Sequence, residues 1–167
     1  MTTTSKAKPE TNAIDLLTTD HKKVKNLFKE YEKLKDGEDT ETKKAVAIEI
    51  CNELTVHAKV EEELFYPAAR KAIGDDDLIN EANVEHATAK DLIAQIQSMD
   101  VEDPMYDAKV KVLGEYVNHH VGEEQNEIFT KVKKAKFDTD ALGAEIAELK
   151  EMLMTKMLKK KNKTQEH

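Results

Sequence analysis

Cysteine occurs once, at Cys51, glycine five times and proline three times in the 167 residues. A lone thiol cannot close an internal disulfide, which suits a reducing compartment, and Cys51 is expected to serve as a small buried hydrophobe. With so few helix breakers, and few β-branched clusters, the composition leans towards helix throughout. Long apolar runs are missing too. No stretch approaches the roughly twenty apolar residues of a membrane span, and the opening MTTTSKAKPETN has no segment of signal-peptide length, so the expectation is a cytoplasmic chain that does not use a membrane. Positive charge is in deficit, 26 Lys and Arg against 34 Asp and Glu for a net charge of -8. That balance lacks the electrostatic footprint of nucleic-acid binding, and the short basic run from Lys159 to Lys163 does not supply it.

What is present fits one domain with a real core, 39% hydrophobic and 36% charged. Apolar residues recur at helical spacing in five segments. The first carries Ile14, Leu17, Val24, Phe28 and Tyr31 and closes at Asp36-Gly37. The second runs from Thr40 to Tyr66 with a seam of Ala47, Ile50, Leu54, His57, Glu61 and Leu64, after which Pro67 predicts a kink or a new short helix ending at Gly74. The third begins near Asp75 to Asp77 and carries Ile79, Ala82, His86, Ala89, Ile93 and Ile96. Asp103-Pro104 offers an N-cap and a first-turn proline for the fourth, with Tyr106, Val110, Leu113, Val117, His120 and Glu124, ending near Lys136. The fifth, after Asp138, carries Leu142, Ile146, Leu149 and Leu153. The expected fold is therefore all-α, an up-down-up-down four-helix bundle over residues 12–136 with an additional C-terminal amphipathic helix over 137–158. Residues 1–11 are expected to form a disordered polar lead and 159–167 a disordered tail.

Polar residues interrupt the apolar seams at matching places. His57 and Glu61 stand four apart, as do His120 and Glu124, so each pair shares a helix face. Buried carboxylates without a cation are costly. Counted from the turns, His21, His57, His86 and His120 reach one layer of the bundle, with a mismatch of about 3 Å between the last two at the helical rise per residue. Helices two and four run parallel, which puts Glu61 and Glu124 one turn to the same side of that layer. Six nitrogen and oxygen donors without a thiolate disfavour a tetrahedral zinc cage and favour a first-row metal of intermediate hardness. Two ions fit better than one, with Glu61 and Glu124 spanning the pair, His21 and His57 on one ion and His86 and His120 on the other. Such a pair leaves positions for exogenous ligands.

The order His, HxxxE, His, HxxxE, in the local texts LLTTDHKKV, VHAKVEEELFYP, NVEH and VNHHVGEEQNEIF, resembles the bacterial hemerythrin-like family, also called the HHE cation-binding domain, over Ile14 to Lys134. The resemblance implies a non-haem centre of two iron ions, oxo- or hydroxo-bridged, with His21, His57, Glu61, His86, His120 and Glu124 as ligands. It also implies small partners: dioxygen, peroxide, nitric oxide or iron itself. Oxygen-carrying hemerythrins place a second histidine four residues after the one on the third helix and use HxxxxD on the fourth. Here those places hold Lys90 and HxxxE, so the ion of His86 and His120 is expected to keep an exchangeable position. Ferritin-like ExxH motifs do not occur. Glu62, Glu85 and Glu123 are candidates to accept the distal N–H of a ligating histidine. Tyr116 could reach a bound ligand, while Tyr66, Phe28 and Phe65 read as apolar walls. Two functions follow: a module that binds or senses dioxygen, nitric oxide or iron, and an enzyme that decomposes peroxide. A purely structural metal is the third reading.

Overall fold

The first helix starts where Asn12 turns its side chain onto the backbone amides of Ile14 and Asp15, at 3.0 and 3.4 Å, satisfying donors that an α-helix leaves free at its start. The computed structural model describes residues 12–165, and among them all regular structure is helical. Helix α1 spans Ala13–Leu34 and α2 Thr40–Val60, the latter capped by Asp39 on the Thr42 amide at 3.0 Å. A π-helical turn, Glu61–Phe65, leads from α2 into α3, Tyr66–Ile73. Gly74 ends α3 with φ 65°, a left-handed position that glycine takes without the Cβ clash. Asp75 caps α4, Asp76–Ser98. Helix α5, Tyr106–Glu123, continues through a second π-helical turn, Glu124–Ile128, into α6, Phe129–Lys134. Helix α7 spans Thr139–Gln165 and begins with Asp138 on the Ala141 amide at 3.0 Å.

Helix α1 packs on α2 and α7, α4 on α5, α2 on α4 and α1 on α5. Two apolar clusters result. One gathers Leu17, Val56, Val60, Phe65, Ile128, Phe129 and Ile146, and the other Val24, Leu27, Ile50, Ile93, Tyr106 and Leu113. His21, His86 and His120 stand between them in sequence on their helices and His57 follows Val56 on α2, so a polar layer separates two regions of ordinary core.

Several details depart from the sequence reading. The long second and fourth helices are not uniformly α-helical, since each contains a π turn that opens on the glutamate of HxxxE. Leu64 is only partly buried, whereas Phe65 and Tyr66 both point inward. Each π turn holds one residue more than an α turn, so the position five after the glutamate faces the core. On α1 it is Leu27 that fills the stripe, and Phe28 lies beside Gly114, where an added Cβ would stand 3.1 Å from the ring. Asp103 accepts from the Met105 amide at 2.8 Å, and α5 starts at Tyr106, after Pro104. Helix α7 continues past Lys159 to Gln165, where a disordered tail was expected, because Lys159 to Gln165 contains neither glycine nor proline and its lysines and glutamine are good helix formers. Residues 1–11, the expected polar lead, and 166–167 lie outside the described residues.

Candidate metal centre

Six side chains from four helical segments meet in the polar layer. His21 comes from α1, His57 from the last turn of α2, His86 from α4 and His120 from the last turn of α5, while Glu61 and Glu124 open the two π turns. All six are buried, Glu61 at 0% and Glu124 at 1% exposure. Their donor atoms form two groups that could hold a metal ion: His21, His57, Glu61 and Glu124, and Glu61, His86, His120 and Glu124, with all atoms of a group within 4.8 Å of one another. Both carboxylates belong to both groups.

Hydrogen bonding outside the layer fixes what the imidazoles present inside it. The Nδ1 of His57 lies 3.0 Å from Asp20 Oδ2, that of His86 3.2 Å from Glu62 Oε2 and that of His120 3.2 Å from Glu85 Oε1. A carboxylate at Nδ1 keeps a proton there and leaves the Nε2 lone pair pointing inward. Inside the layer the Nε2 atoms of His21 and His57 face each other at 3.2 Å, and those of His86 and His120 at 3.1 Å. Two lone pairs at that distance repel unless a proton or a metal ion lies between them. Carboxylate oxygens approach the same nitrogens: Glu61 Oε1 is 3.0 Å from His57 and 3.3 Å from His86, and Glu124 Oε1 is 3.2 Å from His21. None of these three contacts has hydrogen-bond alignment, so both oxygens of Glu61 and Oε1 of Glu124 are buried without a donor. Converging lone pairs and undonated buried oxygens are what a cation site requires.

Without a metal the layer holds protons instead. Burial works to lower the pKa of His57, but Glu61 and Asp20 outweigh it and hold it well above the usual range. Burial is likewise outweighed at His120, where Glu124 brings the pKa up to about 9. For Glu124 burial favours the neutral acid, yet His120 and His21 hold its carboxyl well below the ordinary value. A histidine whose pKa rises from 6.5 to about 9 on folding stabilises the fold fully below pH 6.5 and loses that contribution as the pH passes 9, a term on the order of 3 kcal/mol. The depressed Glu124 views the same pairing from its other end, and its share is lost as the pH falls. Thermal melts in a chelator should therefore show the metal-free protein losing roughly 10 °C in melting temperature between pH 6.5 and 9.5. The metal-loaded protein should not follow, since a metal ion at Nε2 would stand in place of the titrating proton; parallel curves would contradict this electrostatic account.

The two groups are not alike. The Tyr66 hydroxyl donates to Glu124 Oε2 at 2.5 Å and lies 3.1 Å from His86 Nε2 and 3.3 Å from His120 Nε2. Burial, followed by the charges of Glu124 and Glu61, holds its pKa well above the usual range. The equivalent place after the second π turn is taken by Phe129, stacked on His21 with ring centroids 5.8 Å apart. The sequence reading treated Tyr66 as a wall. Its signal was there, as the aromatic residue five positions after each glutamate. Lys90, four residues after His86, pairs with Glu62 at 2.5 Å. Glu62 and Glu85 support histidines as expected. Glu123 pairs with the exposed His119 at 3.0 Å, and Asp20, not considered from sequence, supports His57.

A largely enclosed cavity of about 50 Å³ adjoins the four histidine rings and does not touch Glu61, Glu124 or Tyr66. Val24, Leu54, Ala58, Ile93, Val117 and Val121 make most of its wall, and Tyr116 and Lys90 also line it. No helix among the described residues is long and apolar enough to cross a membrane.

Known proteins resemble the chain in sequence and in fold. In sequence the chain is 31% identical over 126 residues to a DNA nickase of Nostoc sp., a match covering 75% of this chain and 35% of the relative, so the chain spans about a third of that protein. Its fold is similar to the crystal structure of an HHE cation binding domain-containing protein from Mycobacterium kansasii, with a TM-score of 0.75 and 24% identity over 89% of this chain and 91% of the other. Residues 12–132 match the hemerythrin HHE cation binding domain, and the chain belongs to that family.

Proposed function

We propose that this chain is a non-haem di-iron protein whose His21, His57, Glu61, His86, His120 and Glu124 hold two iron ions and which binds or senses a small diatomic ligand, dioxygen or nitric oxide. The helices that carry these residues form an up-down-up-down bundle with α7 laid on its outside. The observation that carries the reading is the pair of facing Nε2 atoms, at 3.2 and 3.1 Å, with undonated carboxylate oxygens between the pairs. One ion cannot serve four histidines drawn from four helices while both carboxylates reach both groups. Two can. Bound iron supplies open coordination positions and a reversible change of oxidation state.

The rest is done by the protein. Glu61 and Glu124 offset the charge of the ions, and Asp20, Glu62 and Glu85 fix three imidazoles by their Nδ1. Tyr66 would offer the His86 and His120 side a fifth oxygen or nitrogen donor, where the His21 and His57 side has four. The cavity beside the histidines has room for a molecule of two or three heavy atoms, and the surface that faces it is almost wholly apolar. Such a wall suits a diatomic of low polarity and offers peroxide few hydrogen-bond partners. Peroxide decomposition is the second reading, favoured by the Tyr116 hydroxyl and the Lys90 side chain on the same cavity.

Anaerobic loading should give about two iron ions per chain, counted by elemental analysis, and a visible spectrum that responds reversibly to nitric oxide. Uptake of a single ion, or a preference for zinc over iron, would sink the assignment. Sustained oxygen evolution from added peroxide would move the conclusion to the second reading.

A further inference from the structure

We propose that Lys150, on helix α7 and outside the family-matched span, is a positioning residue that governs how firmly the His21 and His57 position keeps its ion. The inference rests on the di-iron reading above. Its basis is an uneven distribution of support around the layer. Both histidines of the His86 and His120 group are held from behind, by Glu62 and Glu85, and Tyr66 adds its hydroxyl. In the other group His21 Nδ1 is buried without a partner, so Asp20 on His57 is the one carboxylate that braces it among the described residues.

Asp20 itself is only 7% exposed and uses both oxygens: Oδ2 faces His57 and Oδ1 accepts from the Lys150 ammonium. Helix α7 brings the lysine there. Its Ile146, Leu149 and Leu153 belong to the apolar cluster that contains Ile14, Leu17 and Val56, which seats α7 against α1 and α2. Lys150 follows Leu149 at the margin of that seam, and its side chain is 34% exposed, so the stem crosses apolar surface while the ammonium reaches Asp20. Removing the ammonium would leave a buried carboxylate with one partner in place of two, free to turn towards water and to release His57. Ligands behind a metal-bound histidine commonly change metal affinity by about 10 to 100-fold. The Lys90 and Glu62 pair, behind His86, provides an internal comparison on the other position.

The test uses the full chain with Lys150→Met, which keeps the alkyl stem, and Lys150→Arg, which keeps a cation. In the protein before metal loading, nitrogen-resolved NMR follows exchange of the His57 Nδ1 proton with water. Lys150→Met should speed it about tenfold or more while the His86 and His120 protons are unaffected. After loading with iron(II), release to a chelator should show one of two phases accelerated by a similar factor in Lys150→Met, the other unchanged, and near-wild-type behaviour in Lys150→Arg. Lys90→Met should accelerate the opposite phase. Asp20→Asn leaves the apolar seam of α7 untouched and must reproduce the selective loss even where Lys150→Met weakens helix docking. A His57 proton indifferent to Lys150, or two release phases that move together, overturns the proposal. Uptake of fewer than two ions by the wild type would instead overturn the di-iron reading, and the proton exchange would still decide the role of Lys150.

Discussion

Replacing Glu61 by leucine is expected to reduce bound iron from about two ions per chain to fewer than one, and to make the metal-free protein less stable at the same time. The first effect follows from Glu61 belonging to both donor groups. Its loss would remove a donor from each group and leave one carboxylate to offset the charge of two ions. His21→Ala, which touches one group, should retain about one ion. The second effect follows from the protonated layer: Glu61 is 0% exposed, and its charge, with that of Asp20, holds the pKa of the buried His57 up. Removing one partner of a buried charged pair costs about 3 to 5 kcal/mol. The loss should shrink as the pH rises and the histidines give up their protons, a dependence that general damage to the fold would not show. Iron counting together with urea unfolding in a chelator measures both. Retention of two ions by Glu61→Leu would refute the shared ligand, and Glu124→Leu should behave alike for metal while losing the Tyr66 hydrogen bond as well.

Tyr66→Phe is expected to abolish any strong visible absorption that the oxidised iron protein owes to a phenolate ligand, and to free a coordination position beside His86 and His120. The hydroxyl lies within 3.3 Å of both histidine nitrogens and 2.5 Å from Glu124. Without metal it is a neutral phenol donating to a carboxylate, because burial and the charges of Glu124 and Glu61 keep the proton on. An ion in that group would compete directly for the same oxygen. The variant should also lose a charge-assisted hydrogen bond, about 1.5 to 3 kcal/mol in the metal-free state. Resonance Raman of the oxidised wild type would show phenolate modes that vanish in Tyr66→Phe; a spectrum without such modes in the wild type would restrict Tyr66 to holding Glu124.

That the six side chains would meet was legible because α-helical spacing places residues four apart on one face, and His57 to Glu61 and His120 to Glu124 are both closed by α-helical hydrogen bonds. The sequence did not announce the π turns that follow. A uniform helix assigns Leu64 to the seam and turns Tyr66 away, and only the inserted residue reverses those two positions. Lys90 was likewise placed by periodicity on the face of His86. Its partner, Glu62, was a candidate to support a histidine, and its contact with Lys90 joins two helices, which periodicity within one helix does not reveal. Asp20 escaped notice for another reason. It is one residue before His21 yet serves His57 on a different helix, and its second partner, Lys150, lies 130 positions along the chain. Pairings of that kind depend on how helices are rotated about their axes, which repeat spacing within one helix does not fix.

The π turns give the centre one place in each of two helices where chain length can change. Glu63 is exposed within the first of them, and substituting it should matter little. Deleting it would let the shortened segment close as an ordinary α turn, with Tyr66 then four residues after Glu61 and still on the core face. The phenol would stay in the layer, and the chain from Gly74 onward would keep its approach to α4. A residue added to an α turn elsewhere on the same helix has no such outlet and would swing the segment beyond it by about 100°.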